Sequence, residues 1–225
     1  IMAFGGSNRY IVDYLLEEVL AHQPEAVQSF LLQTSILRQL CAPLCDALLA
    51  DSAIAQPASL PEQSAGHKAQ AILEQLEHAN LFLIPLDDER KWYRYHHLFA
   101  EVLRNRLQQT QPLRTPELHR RASLWFEQER MVEPAFQHAL AAGDVERAAS
   151  LVEQYGLPLL ERQEATIVRG WLAALPDTLR QTRPLLILLE GVVLVLTGQL
   201  EAADHFFMAT EARFSAVSYT HLRAH

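Results

Sequence analysis

The chain has 225 residues and a formal net charge of −8, and hydrophobic residues make up 49% of it. This allows one large or two small domains with a buried core, so the fold needs no disulfide or metal for stability. The acidic balance argues against a protein whose whole surface binds nucleic acid or anionic membrane. No apolar run reaches the roughly 18 to 20 residues that span a bilayer, and no signal peptide opens the chain, so we expect a cytoplasmic protein.

The first elements in chain order are helices. Apolar residues fall on one face of residues 10–20, which predicts an amphipathic helix. Gly5 and Gly6 precede it and would suit a phosphate-binding loop, but no Gly-Lys-Ser or Gly-Lys-Thr follows, so we interpret them as a loop and cap. A second helix is predicted with Pro24 at its first position, and a third from about Pro43.

The two cysteines, Cys41 and Cys45, are predicted to lie on one side of that third helix. No third or fourth metal ligand lies near them, so we expect two buried thiols and no metal site. Residues 51–64 have the composition of a loop, and residues 68–78 return to helical periodicity.

The helical pattern is interrupted between residues 80 and 97. Residues 81–86 are apolar and are followed by three acids, which predicts a strand and a turn. Residues 91–95 alternate charged and aromatic side chains, which predicts a second strand, and a helix follows over residues 98–109. A helix, a two-stranded wing and another helix are typical of a winged helix. Two histidines, His96 and His97, stand where the second strand passes into the helix.

Several side chains of this wing allow more than one interpretation. Four aromatic residues could form a base-stacking platform, but core packing is the simpler interpretation: Trp92, Tyr93, Tyr95 and Phe99. Three adjacent acids, Asp87, Asp88 and Glu89, cannot all face one metal ion in a tight turn, so we interpret them as a solvated turn. We find no nucleophile, base and orienting group at a recognisable spacing, and therefore expect no catalysis.

The second half of the chain is predicted to be helical throughout. Thr115 is predicted to cap a helix with Pro116 at its first position. A phrase that begins at Gly143 recurs at Gly198, each time as a turn before an alanine-rich helix, which is typical of stacked helical hairpins. The 55-residue offset does not match adjacent copies of a repeat of about 34 residues.

Four phrases together resemble the MalT-type activators, which are ATP-dependent regulators of the LuxR family and signal-transduction ATPases. They are FGGSNRYIVDYLLEEVL, FLLQTSILRQLCAPLCDAL, LEHANLFLIPLDDERKWYRYHHLFAEVLRNRL and HRRASLWFEQERMVEPAFQHALAAGD. The resemblance runs from about Phe4 to about Phe214. It implies a mainly α fold with a winged helix and a TPR-like helical superhelix.

The resemblance also implies domains and partners. It places the end of a nucleotide-binding arm at 1–22, the winged helix at 23–112 and the sensor superhelix at 113–214, and leaves 215–225 as an irregular, extraneous tail. Because the sequence contains no P-loop, we expect a central piece of a longer regulator. Such a regulator binds ATP or ADP, takes an inducer or regulatory protein on the superhelix, binds promoter DNA through a C-terminal helix-turn-helix and oligomerises when activated.

One residue is assigned from the resemblance. Relatives carry an apolar residue, His, Asp and Leu at the start of the last winged-helix helix, and the His contacts the phosphates of ADP. Tyr95, His96, His97 and Leu98 fill these places, which makes His96 the predicted nucleotide contact, while His97 replaces the Asp and is interpreted as packing. The alternative for His96 is a bond to a neighbouring backbone group.

A basic set surrounds this position: Arg90, Lys91, Arg94, Arg104 and Arg106. It is interpreted as docking on the ATPase domain, with direct DNA binding and a solvated face as the alternatives. A helical-repeat interaction scaffold without nucleotide switching is the further alternative for the chain as a whole.

Overall fold

The computed structural model describes residues 15–50 and 68–210. The predicted helix over 10–14, the loop over 51–64 and the tail over 215–225 lie outside these ranges. The described elements are α1 (Leu15–Leu20, wound as a π-helix), α2 (Glu25–Thr34), α3 (Ala42–Leu49), α4 (Lys68–His78), β1 (Leu83–Pro85), β2 (Tyr93–Tyr95), α5 (His97–Thr110), α6 (Arg114–Gln128), α7 (Val132–Ala141), α8 (Val145–Glu161), α9 (Ala165–Ala174), α10 (Asp177–Arg180), α11 (Pro184–Leu196) and α12 (200–210).

The chain divides into two compact units between Met131 and Val132. The first contains α1 to α6 and the hairpin, and the second contains α7 to α12. The fold class predicted from the sequence is confirmed, since the described part is mainly helical with one antiparallel hairpin followed by stacked helices. The domain limits at 22, 112 and 214 stay predictions.

A two-stranded wing is part of the first unit. Strands β1 and β2 pair antiparallel, with Leu83 opposite Tyr95 and Pro85 opposite Tyr93. Leu40, between α2 and α3, extends this hairpin by one residue, because its N–H and C=O exchange hydrogen bonds of 2.8 Å with Tyr93. The sequence analysis did not predict this third strand position.

The core of the first unit fills the space between α2, α3, α4, α5 and the hairpin. Its largest fully buried side chains include Phe30, Leu31, Leu40, Leu44, Leu48, Leu73, Leu76, Tyr93, Phe99, Leu103 and Leu107. Cys41 and Cys45 are both buried free thiols, as predicted, and burial raises the pKa of Cys45 well above its usual range. Tyr93, Tyr95 and Phe99 are core residues, which confirms packing over a base-stacking platform.

Helix α6 belongs to this same unit and packs against α3. The Arg121 guanidinium donates to the Leu48 carbonyl at 3.1 Å, and Trp125 meets Trp92 of the wing edge-on at 6.4 Å. The predicted cap at Thr115 is wrong, because the helix already begins at Arg114 after Leu113, whose backbone is helical. Thr115 is therefore inside the first turn, where its buried hydroxyl has no partner among the described residues.

The second unit is a stack of helical hairpins. Helix α8 packs on α7, α9 and α11, and α9 packs on α11. The Phe136 and Trp171 rings stack at 4.7 Å, and the Trp171 indole N–H donates to Glu133 at 2.5 Å. Arg183, which precedes α11, forms ion pairs with Glu146 and Glu153 of α8. None of the helices in the described ranges is long and apolar enough to cross a bilayer.

Five helices end in the same left-handed cap. A residue with positive φ follows each of α4, α6, α7, α8 and α11. Its N–H donates to the carbonyl three residues earlier, and the next N–H donates to the carbonyl five residues before itself. This is the Schellman motif. The capping residues are Asn80, Arg130, Gly143, Gln163 and Gly198. Those at 130, 163 and 198 follow α6, α8 and α11 and are 33 and 35 residues apart, which is close to the repeat length of about 34 that the glycine offset does not match.

Candidate functional site

The junction between β2 and α5 is built around the backbone of His96. This residue is extended, with φ −56° and ψ 137°, and stands immediately before the first residue of α5. Its N–H donates to the Phe82 carbonyl at 2.7 Å, and its carbonyl accepts the Ala100 N–H at 2.9 Å. The backbone therefore joins the start of the wing to the start of the helix at this point.

The His96 imidazole takes no part in closing that junction. The side chain is half-buried, and no group in the described ranges hydrogen-bonds to its ring, including the helix that it precedes. The ring meets Phe82 edge-on at 6.4 Å and His97 at 4.4 Å. The alternative that the side chain bonds a neighbouring backbone group is therefore not what the structure shows, because the main chain makes that bond.

The start of α5 offers unpaired donors beside this ring. Since the first helical hydrogen bond runs from Ala100 to His96, the N–H groups of His97, Leu98 and Phe99 have no helical partner, and no side chain in the described ranges caps them. Uncapped N–H groups and the positive end of the helix dipole favour an anion at such a position. Whether His96 contacts a nucleotide stays a prediction.

The neighbouring His97 does not pack into the core. Its side chain is exposed, and the ring contact that the structure gives it is with His96. The interpretation of His97 as a packing residue is therefore wrong. The first position of a helix points its side chain away from the core when, as here, the apolar face starts at Phe99 and Ala100.

Buried side chains hold the junction from beneath. The Tyr95 hydroxyl lies 2.7 Å from the Thr34 hydroxyl, which itself donates to the Phe30 carbonyl. Tyr95 must therefore be the donor of the shared bond. Burial raises the pKa of the Tyr95 phenol well above its usual range. Tyr95 also meets Phe99 of α5 edge-on at 5.9 Å, so strand and helix share one core.

The wing is tied down at its tip and to α4. The Asp87 carboxylate accepts the N–H groups of Lys91 and Trp92 at 2.8 and 3.0 Å, so this acid shapes the turn. Glu77 of α4 accepts the Tyr93 hydroxyl at 3.3 Å and pairs with Arg90 at 3.4 Å. Burial, and then the Glu77 charge, raise the pKa of Tyr93.

The basic residues of the wing divide into two groups. Arg90 and Lys91 pair with Glu77 and Glu89 within the first unit. By contrast, three exposed arginines show no ion pair within the described ranges: Arg94, Arg104 and Arg106. These three stay available for an external acidic group.

Helix α4 has the place of a recognition helix, since it directly precedes the wing. Its ionisable side chains are Lys68, Glu74, Glu77 and His78, which leaves the helix without a positive face. A duplex-binding helix neutralises phosphates with lysine and arginine. The composition of α4 therefore does not favour DNA binding by this wing.

Phe82 is the site residue that the sequence analysis missed. It supplies both the carbonyl that accepts the His96 N–H and the ring that meets the imidazole. Its backbone is left-handed, with φ +54°. Sequence patterns assign positive φ to glycine and asparagine, so a phenylalanine in an apolar run gives no signal of this conformation.

Comparison with known proteins agrees with this geometry. Residues 16–115 match the family model described as the MalT winged helix domain. This segment belongs to the MalT winged helix domain family. It is 32% identical over 189 residues to the HTH-type transcriptional regulator MalT of Klebsiella pneumoniae subsp. pneumoniae, which covers 84% of this chain and 19% of the relative. It is 33% identical over 182 residues to the MalT of Yersinia pestis, covering 81% and 18%.

A protein of another name shares the same segment. The serine/threonine-protein kinase PknK of Mycobacterium tuberculosis is 34% identical over 183 residues, which covers 81% of this chain and 15% of that protein. The chain thus spans less than a fifth of the length of these relatives. Because one relative is named a kinase and others are named regulators, neither name alone fixes what the shared segment does.

Proposed function

We propose that this chain is the central regulatory segment of a nucleotide-switched bacterial transcription activator. The winged helix domain latches the inactive state with ADP bound, and the helical hairpins receive an inducer or a partner protein that releases the latch. The similarity to the MalT regulators supports the regulatory role. The observation that supports nucleotide contact is the unbonded His96 ring beside three uncapped N–H groups.

The chemistry of this corner suits a phosphate. An imidazole with both nitrogens unbonded donates a hydrogen bond in either its neutral or its charged form. The N–H groups of His97 and Leu98 add donors at the start of α5, and the helix dipole favours the negative charge. Phosphate oxygens would thus meet several hydrogen-bond donors at this corner. No step of bond breaking is assigned to the chain.

The remaining partners follow from the same proposal. ATP or ADP is held mainly by the protein's own nucleotide-binding domain. The exposed side chains of Arg94, Arg104 and Arg106 would pair with acidic residues on the surface of that domain. Promoter DNA is bound by a separate helix-turn-helix, and the active form oligomerises in the cytoplasm. A segment shared between a kinase and several regulators fits a control module better than a catalytic part.

Direct DNA binding by the wing is the alternative that the charges of α4 oppose. Titration of the 225-residue chain against duplex DNA, followed by fluorescence anisotropy at low salt, tests it. We expect no binding that weakens with added salt. Saturable binding with a steep salt dependence would favour the alternative, because each phosphate contact releases a counterion.

The proposed latch is tested in the full-length protein with His96→Ala. Loss of a hydrogen bond to a charged group should weaken ADP binding by about tenfold or more and raise transcription without inducer. The matched control is His97→Ala, which removes an exposed imidazole one position along the same helix start. If His96→Ala changed neither ADP affinity nor basal transcription, the latch would be excluded, and a helical-repeat scaffold would become the better account.

A further inference from the structure

Phe82 has the backbone conformation that is hardest to explain by folding alone. The described non-glycine residues with positive φ are Asn80, Phe82, Arg90, Arg130 and Gln163. Three of these end helices in the Schellman motif, and Arg90 forms the wing turn together with Asp87. Phe82 does neither, since it leads from the cap of α4 into β1. A bulky side chain in the left-handed region is sterically unfavourable and occurs where the surroundings require it.

The left-handed turn has two consequences for one neighbour. It directs the Phe82 carbonyl at the His96 N–H, at 2.7 Å. It also places the Phe82 ring against the imidazole, with 6.4 Å between the ring centres and 62° between the planes. The same ring lies 5.3 Å from Phe99, a buried residue of α5, which fixes it from the other side.

Core packing alone does not account for this arrangement. Phe82 is only half-buried, whereas the next residue, Leu83, is 8% exposed and fills the core from a regular strand position. A residue with no other task than packing could adopt the ordinary extended backbone that Leu83 has. The geometry instead serves the orientation of His96, whose ring no hydrogen bond in the described part of the chain holds.

We propose that Phe82 is the positioning residue for His96. It fixes the main chain of His96 through its carbonyl and the imidazole through its ring, and so it leaves both ring nitrogens available to a phosphate. This inference rests on the proposed function, and it assigns to the latch a residue that touches the histidine instead of the nucleotide. Packing an edge against an aromatic ring restricts rotation of the imidazole without occupying a polar atom.

The ring is tested with Phe82→Leu and Phe82→Asn in the full-length protein. Asparagine tolerates positive φ and keeps the carbonyl, so this variant removes the ring without adding backbone strain. Both variants should weaken ADP binding about two- to tenfold, because the imidazole must be immobilised on binding. Phe82→Tyr keeps the ring and should restore wild-type affinity. The control is Phe126→Leu, which alters another buried aromatic residue of the first unit, one whose ring contacts Trp125 and not Phe82 or His96.

Two further measurements separate this inference from the proposed function. In a His96→Ala background, Phe82→Asn should have no further effect on ADP affinity. In the 225-residue chain without nucleotide, NMR should show the ring protons of His96 shifted by the Phe82 ring current, and Phe82→Asn should abolish that shift while Phe82→Tyr keeps it. If Phe82→Asn abolishes this shift while His96→Ala leaves the ADP affinity unchanged, the latch is rejected but the positioning of His96 by Phe82 is not. An unchanged shift in Phe82→Asn, or equal losses of affinity in Phe82→Asn and Phe126→Leu, would overturn the positioning role.

Discussion

Two glycines in the second unit allow a glycine-to-alanine substitution to be compared at a tightly packed position and at an open one. Both lie inside helices, Gly156 in α8 and Gly170 in α9. A Cβ added at Gly156 would come within 2.7 Å of Leu189 Cδ1 on α11 and 3.1 Å of its Cδ2. A Cβ added at Gly170 would meet nothing within 4 Å. The pair therefore isolates the close approach of α8 to α11.

The two substitutions should change the free energy of unfolding in opposite directions. Replacing a glycine by alanine inside a helix raises the free energy of unfolding by about 0.5–1 kcal/mol, because alanine loses less backbone entropy on folding. Gly170→Ala should therefore stabilise by about that amount. At Gly156 the same gain is opposed by overpacking, which costs about 1–3 kcal/mol. Leu189 is 1% exposed and cannot move into solvent, so we expect a net loss there.

Urea unfolding of the 225-residue chain, followed by circular dichroism, gives both values. The two variants should differ by about 1–3 kcal/mol, with Gly156→Ala the less stable. A double-mutant cycle with Leu189→Ala is the control: Leu189→Ala makes room for the new methyl group, so Gly156→Ala should destabilise the Leu189→Ala chain less than it destabilises the wild type. Equal stabilisation by Gly156→Ala and Gly170→Ala would show that α8 and α11 do not pack as closely as described here.

Two other predictions concern the first unit. Folding raises the pKa of the Tyr95 phenol, so the neutral phenol stabilises the fold below its unfolded pKa of about 10. Above that pH, the free energy of unfolding should fall by up to about 1.4 kcal/mol per pH unit. Tyr95→Phe should lessen this slope in urea titrations between pH 9 and 11, and an unchanged slope would contradict the prediction. Asp87→Ala removes the acceptor for the Lys91 and Trp92 N–H groups, so it should destabilise the chain by about 1 kcal/mol and shift Trp92 fluorescence, whereas Asp88→Ala, an exposed neighbour without such bonds, should do neither.

Strong local signals made much of the fold predictable. Helix α4 was predicted at its observed limits, and α5 within one residue at each end, because their apolar residues recur at helical spacing. The strands are shorter than predicted, three residues each. Phe82 takes left-handed backbone within the apolar run, and the Lys91 and Trp92 N–H groups bond the Asp87 carboxylate in the turn. Leu40 was missed because a single bridging residue creates no periodic pattern.

The repeat length was hidden for a related reason. Two of the caps at this spacing are Arg130 and Gln163, which sequence patterns do not associate with a left-handed turn. The search for repeats followed Gly143 and Gly198 instead, which cap non-equivalent helices. At the site, the position of His96 was predictable from the phrase that resembles the MalT family, but its support by Phe82 depends on a backbone angle that phenylalanine rarely adopts.

The most direct test of the account compares nucleotides that differ in phosphate. ADP and adenosine are titrated into the full-length protein, as wild type and as His96→Ala, by calorimetry. Since His96 is proposed to contact phosphate, the substitution should weaken ADP binding by about tenfold or more and leave adenosine binding unchanged. Equal effects on the two nucleotides, or none on either, would contradict a phosphate contact at His96.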